Sequence, residues 1–290
     1  MPTHVAEPKP SDNALRAVTD DGAFRVITVR TTDIVRRMLS IRSLWGAEAV
    51  QLGELVTGTI LVRETMAPTH RVQGLLRSAD GASLFIGDSD PDGSARGLLT
   101  RKDTIAAGPI GGGTLEVMRT LHNGELHRGT VQLPPGSTTS QALMVYLQES
   151  EQVVSMLSLG CVLGQDHVVA AGGYLVQLLP EVGQGPLAIM AERLRDFEHV
   201  GPLLAKLDGA TSALMDEILY GMPFTRLEQS PLAWGCRCGK DRVLASLASL
   251  PRADLVALTS DDKPIDLSCD FCNTAYVVSP DELRALVAAG

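Results

Sequence analysis

Hydrophobic and polar positions change texture three times along the chain. Residues 1–20 are polar, proline-bearing and aperiodic, which predicts a disordered leader. "AFRVITVRT" (23–31) then alternates as a strand does, so order is expected from about Phe24. In "TTDIVRRMLSIRSLW" apolar residues recur at helical spacing behind Thr32 or Asp33 as cap. A second helix is expected from about Ala47 to Met66, with Leu52, Leu55, Val56 and Ile60 on one face. From Thr69 to Leu133 short apolar runs are divided by the turn signals "ADG", "DPDG" and "HNGE", which predicts an antiparallel meander of about five strands. "PPGSTTSQALMVYLQESEQ" follows as a proline stop and a helix capped within Ser137 to Thr139. The strands "VVSMLSLGC" and "VVAAGGYLVQLLP" complete an α+β domain that ends near residue 185.

The third texture is helical and broken. "AIMAERLRDFEHV" stops at Gly201-Pro202, "LLAKL" is short, and "TSALMDEILYG" runs from a cap at Ser212 to Gly221. Each piece is amphipathic and none is long enough to be stable alone. The stripe Leu203, Leu204, Leu207, Leu214, Met215, Ile218 and Leu219 is ordinarily packing surface, so the segment is helical only while something holds it. The resulting plan is a leader (1–20), a core of mainly antiparallel sheet with packed helices (21–187), a metastable helical linker (188–230) and a small C-terminal domain (231–290).

Composition narrows the function classes. The 290 residues carry a formal charge of −9, with a pI near 5.2, which disfavours nucleic acid and anionic lipid as partners. No run of 18 apolar residues occurs, so no membrane span is expected. The N-terminus lacks the basic and apolar regions of an export signal, and the cytoplasm is the expected compartment.

Four of the five cysteines lie in the last fifth of the chain, as Cys236-x-Cys238 and Cys269-x-x-Cys272. In a reducing compartment such spacing means metal or redox chemistry more often than a disulfide framework. Four thiolates fill a tetrahedral zinc shell and leave no position for substrate, so one structural zinc is expected and no catalysis. A segment of this length lies near the lower limit for independent folding, and its zinc is worth roughly 10–16 kcal/mol of apparent binding free energy. Most zinc ribbons use C-x-x-C twice. A bridge across C-x-C closes a very small ring and is expected to be readily reduced, which suits a switch; a simple staple is the alternative.

The chain resembles the heat shock protein 33 family of redox-regulated holdase chaperones. The resemblance rests on "LGELVTGTIL", "ARGLL", "YLQESEQ", "GGYLVQLLP" and the terminal C-x-C…C-x-x-C-x-x-x-Y, in the family's order over most of residues 22–280. It implies an N-terminal α/β chaperone and dimerisation domain, a linker and a C-terminal zinc domain that senses oxidants. It also implies a reduced, zinc-bound form without chaperone activity. On oxidation Cys236 would pair with Cys238 and Cys269 with Cys272. Zinc would leave, the linker would unfold, and a homodimer would hold unfolding client proteins without ATP. Gly239 replaces the family's usual serine, "ESEQ" replaces "QSEQ", and "LPRADL" lacks an expected glycine and glutamate. None of these is a ligand.

The remaining signals are weaker. Cys161, at a strand end, reads as a buried inert thiol. The six histidines, at 4, 70, 122, 127, 167 and 199, lack metal-ligand spacing. "GPIGGGT" (108–114) has no following Lys-Ser/Thr and reads as a turn, not a phosphate loop. "DSDPDG" lacks the downstream glutamate of a calcium loop, and Arg96 reads as a charged residue on a solvated strand face. Two rival functions are a zinc-ribbon module recruiting a protein partner without chaperone activity and a thiol-disulfide oxidoreductase. Residues 231–290 hold six Lys or Arg against eight Asp or Glu, which disfavours nucleic acid. No thioredoxin-like βαβ context supports the oxidoreductase.

Overall fold

A computed structural model describes residues 11–102, 112–121, 123–179 and 184–289. The chain divides into two compact units, one running to Gly235 and the other from Cys236 to Gly290.

In the first unit the strands β1 (Asn13–Thr19) and β2 (Phe24–Arg30) lead into helices α1 (Thr32–Arg42) and α2 (Ala47–Glu64). Strands β3 (Arg71–Ser78), β4 (Ser83–Ser89), β5 (Ser94–Arg101), β6 (Gly113–Thr120) and β7 (Leu126–Leu133) follow. Then come α3 (Thr139–Glu149), β8 (Ser155–Leu163), β9 (Val168–Leu178), the short helices α4 (Gln184–Leu194), α5 (Gly201–Lys206) and α6 (Thr211–Ile218), and strands β10 (Phe224–Pro231) and β11 (Ala233–Trp234). The first sheet has the order β10-β1-β2-β9-β8 and the second β11-β5-β4-β3-β6-β7. The α+β class therefore holds, and the five-strand run is present with a different topology. β6 pairs with β3 on the side opposite β4, so the run is not a simple meander.

Helix α2 is buried nearly all round from Leu52 to Glu64 rather than on one face. Its close approach to the second sheet depends on Gly74, Gly87 and Gly97, which stand opposite one another across β3, β4 and β5. A Cβ at Gly74 or Gly87 would lie 2.7 or 2.6 Å from the Thr59 hydroxyl, and one at Gly97 would lie 2.5 Å from the Met38 sulfur. Helix α3 begins with a full capping box between Thr138 and Gln141. Its Tyr146 hydroxyl donates to Glu151 at 2.6 Å, and Glu151 pairs with Arg119.

Each strand of the first sheet presents alternate residues to opposite faces. Ile27, Val29, Leu157, Leu159, Ala171 and Leu175 join the core around α1–α3. Phe24, Val26, Ala170, Tyr174 and Val176 face the other way and are covered by Met190, Leu194, Val200, Leu204, Leu214, Met215, Ile218 and Leu219. The broken helical segment is thus the lid of a second core. Its backbone carbonyls are met by sheet side chains: Thr28 donates to Thr211, Ser158 to Glu198 and Tyr174 to Phe197, at 2.9–3.2 Å. Gly160 and Gly172, paired across β8 and β9, form a notch for α5. The two δ-methyls of Leu204 sit over it, one within 3.1 Å of where a Gly160 Cβ would be and the other within 3.3 Å of a Gly172 Cβ.

Three boundaries differ from expectation. Residues 13–19, inside the expected leader, form β1 between β2 and β10; residues 1–10 lie outside the described residues. The linker is not wholly helical, because Phe224–Pro231 is a strand paired with β1. The C-terminal unit begins at Cys236 rather than residue 231, since Leu232, Ala233 and Gly235 donate to the carbonyls of Asp12, Gly93 and Ala95.

The minor signals also resolve. Cys161 is buried against Gly53, and burial, aided by the Glu54 charge, pushes its thiol up to about 12, as an inert thiol requires. Arg96 is not on a solvated face: with Arg71 it grips Asp88, whose side chain is wholly buried. Asp88 is thereby occupied, which removes it from any calcium loop. Residues 108–111 of "GPIGGGT", His4 and His122 lie outside the described residues. Among the described residues no helix is long and apolar enough to cross a membrane.

Candidate metal centre

The second unit contains α7 (Lys240–Ala248), α8 (Arg252–Leu258), the hairpin β12 (Ile265–Ser268) with β13 (Ala275–Val278), and α9 (Pro280–Ala289). Only Leu255, Val278 and Leu283 are buried hydrophobics among its described residues. A core of three side chains is too small to hold a unit of this length without a staple.

Both knuckles are shaped locally. The hairpin turn carries Cys269 and Cys272, with the Cys269 amide donating to Thr274 and the Asn273 amide to Cys269. Asn273 takes the left-handed backbone (φ 58°) that its short polar side chain tolerates. Cys236 and Cys238 precede α7, whose first residue, Lys240, reaches Glu282 at 2.8 Å and the Val277 carbonyl. Glu282 also accepts from the Ser279 amide and completes the cap of α9. The Lys240 ammonium and these hydrogen bonds hold its carboxyl near 2.

The four sulfurs lie within 4.8 Å of one another, with Cys236–Cys269 at 3.7 Å and Cys238–Cys272 at 3.3 Å. A tetrahedral shell with Zn–S bonds of about 2.3 Å places its sulfurs about 3.8 Å apart, so the donor set fits zinc in number, softness and spacing. No disulfide joins these four cysteines, and all are half-buried. Burial raises the Cys269 thiol. At Cys272 burial also pushes upward, but hydrogen bonds from Thr274, Cys238 and Cys269 outweigh it and bring the thiol down to about 6.

Two neighbours orient these sulfurs. The Tyr276 hydroxyl donates to Cys238 at 3.0 Å, and its own proton is thereby held, to about 12. The Thr274 hydroxyl lies 3.1 Å from Cys272. Tyr276 was visible in the terminal motif; Thr274 was not. A hydroxyl two residues after the last cysteine is the signal that would have found it.

The family model described as Hsp33 protein matches residues 12–279. A protein of Syntrophotalea carbinolica named 33 kDa chaperonin is 32% identical, covering 96% of this chain and 99% of its own. One of the same name from Symbiobacterium thermophilum is 31% identical, over 94% and 96%. The crystal structure of the 33 kDa chaperonin of Thermotoga maritima superposes with a TM-score of 0.82 at 21% identity, over 97% of this chain and 99% of that one, a likeness of fold. Two-unit fold, four converging thiols and near full-length similarity agree, and the chain belongs to the Hsp33 protein family.

Proposed function

We propose that this protein is an oxidation-activated, ATP-independent chaperone of the cytoplasm, a holdase and not an enzyme. The observation that carries the reading is the convergence of Cys236, Cys238, Cys269 and Cys272 in a unit with almost no apolar core. Zinc, when bound, supplies the cross-link that stands in for that core. The four thiolates hold the knuckles together while reduced. Under a peroxide- or hypochlorite-class oxidant, Cys236 joins Cys238 and Cys269 joins Cys272. Each new S–S bond passes two electrons to the oxidant, so that peroxide leaves as two waters and hypochlorite as chloride and water, with thiols or solvent supplying the protons. The oxidised sulfurs no longer bind metal, and the unit loses its staple.

The linker responds because it is held by contacts, not by itself. α5 and α6 are six and eight residues long, and neither has a side-chain N-cap bond. Once they leave, the face formed by Phe24, Val26, Tyr174 and Val176 is exposed for unfolding clients, and a second copy of the chain associates as a homodimer. Light scattering of a thermally unfolding client tests the reading. Aggregation is suppressed after oxidation and not by the reduced protein, while a Cys269→Ser/Cys272→Ser variant, which lacks half of the staple, suppresses it without oxidant. Zinc release without suppression would leave a zinc-ribbon interaction module instead.

A further inference from the structure

A cavity of about 580 Å³ lies in the first unit between the end of α2, strands β1 and β2, and the linker strand β10. Its floor carries three guanidinium groups, Arg16, Arg25 and Arg63, and one carboxylate, Glu64. Glu64 is fully buried and forms ion pairs with both Arg16 and Arg63. Among the described residues Arg25 meets no carboxylate; its partners are the Gln177 side chain and the Thr65 carbonyl. The Arg63 side chain is only 6% exposed, yet its Nε has no hydrogen-bond partner among the described residues. Burial, and at Arg25 the nearby Arg16 charge, pushes Arg16 and Arg25 below the ordinary range of arginine. On the buried floor three guanidinium groups thus face one carboxylate, with an unsatisfied donor at Arg63, while the Glu228 charge at the exposed rim acts on Arg16.

We propose that this cavity binds a small molecule carrying a phosphate group. A phosphate monoester brings a charge near −2 and several acceptor oxygens, which match the floor's excess and the forked geometry of guanidinium. A volume of this size exceeds a lone ion and suits a small organic molecule. Met66, Pro68, Leu227 and Pro231 offer apolar wall for the rest of the ligand. The acids at the rim are exposed: Glu228 lies on the outer strand, and Asp92 is engaged with the Ser94 amide and hydroxyl. The inference is independent of the redox reading, because it concerns the reduced full-length protein and needs no chaperone activity.

Isothermal titration of reduced, zinc-loaded full-length protein with inorganic phosphate, adenosine 5′-monophosphate, adenosine and acetate tests it. Phosphate and the monophosphate bind, the latter more tightly; adenosine and acetate do not. Arg25→Gln, checked for wild-type melting temperature, weakens the monophosphate about tenfold or more, as loss of a charge-assisted hydrogen bond requires. Arg63→Gln does the same if it folds; Arg25→Gln alone decides if it does not. Bound monophosphate slows hydrogen exchange of residues 224–231. The proposal is overturned if neither phosphate-bearing probe binds, if folded Arg25→Gln binds as wild type does, or if exchange of 224–231 is unchanged at saturation.

Discussion

Leu204→Ala probes whether the linker is a separable lid. Leu204 is completely buried, with its δ-methyls over the Gly160–Gly172 notch. Truncating a buried leucine costs about 2–5 kcal/mol, more where the surroundings cannot collapse into the space. Here the two notch residues have no side chains to move, so the upper part of that range applies, about 3–5 kcal/mol. Leu204 touches the second core and not the one around α2, so the loss falls on docking of the lid. At 1.4 kcal/mol per factor of ten, the undocked population rises about 10²-fold or more. Reduced Leu204→Ala is therefore expected to suppress client aggregation without oxidant, and limited proteolysis is expected to cut within residues 184–220 first. The reasoning fails if the reduced variant stays inactive and its lid resists protease as wild type does, while the melting temperature of the whole protein falls.

Other changes act on separate parts of the molecule. Tyr276→Phe removes the hydroxyl that donates to Cys238, and loss of such a supporting bond lowers metal affinity about 10- to 100-fold, readable by competition with a chelating dye. Glu54 is raised by burial to about 7, against an opposing hydrogen bond from Thr139. A carboxyl raised in the fold favours folding in its neutral form, so its contribution is full below about pH 4.5 and is lost as pH rises through about 7. Glu54→Gln should match wild type in urea denaturation near pH 4.5 and exceed it by on the order of 2–3 kcal/mol at pH 8. A constant difference across that range would remove Glu54 as the cause.

What the sequence made legible follows from how local each signal is. The four-cysteine cluster was readable because residue type and spacing lie in four positions, and the structure brings their sulfurs within 4.8 Å of one another. Helix α3 was readable from its cap, whereas α1 starts after Thr31, not behind the expected Thr32 or Asp33, and α2 after Gly46. Neither has a side-chain cap bond, and only their apolar residues announced them. β1 was missed because "NALRAVT" has only Leu15 and Val18 among small and polar residues, too few for a clear alternation; it is a strand because β2 and β10 flank it. β10 was missed for the opposite reason. As an edge strand it exposes nearly all of "FTRLEQSP" and shows no apolar alternation, so its only cause is the ladder with β1. The return of β6 to β3 and the ion pairs of Asp88 with Arg71 and Arg96 depend on residues far apart in the chain, which periodicity does not encode. The apolar stripe of the linker was visible, but its partner face was not, because Phe24, Val26, Tyr174 and Val176 alternate with residues that feed the other core.

Hydrogen-exchange mass spectrometry on the reduced, zinc-loaded protein and on its oxidised form addresses the central claim most directly. The account predicts that oxidation strips protection from residues 236–289 and from 184–220, while α2 and strands β3 to β5 keep theirs. Loss confined to residues 236–289, with the lid as protected as before, would contradict it.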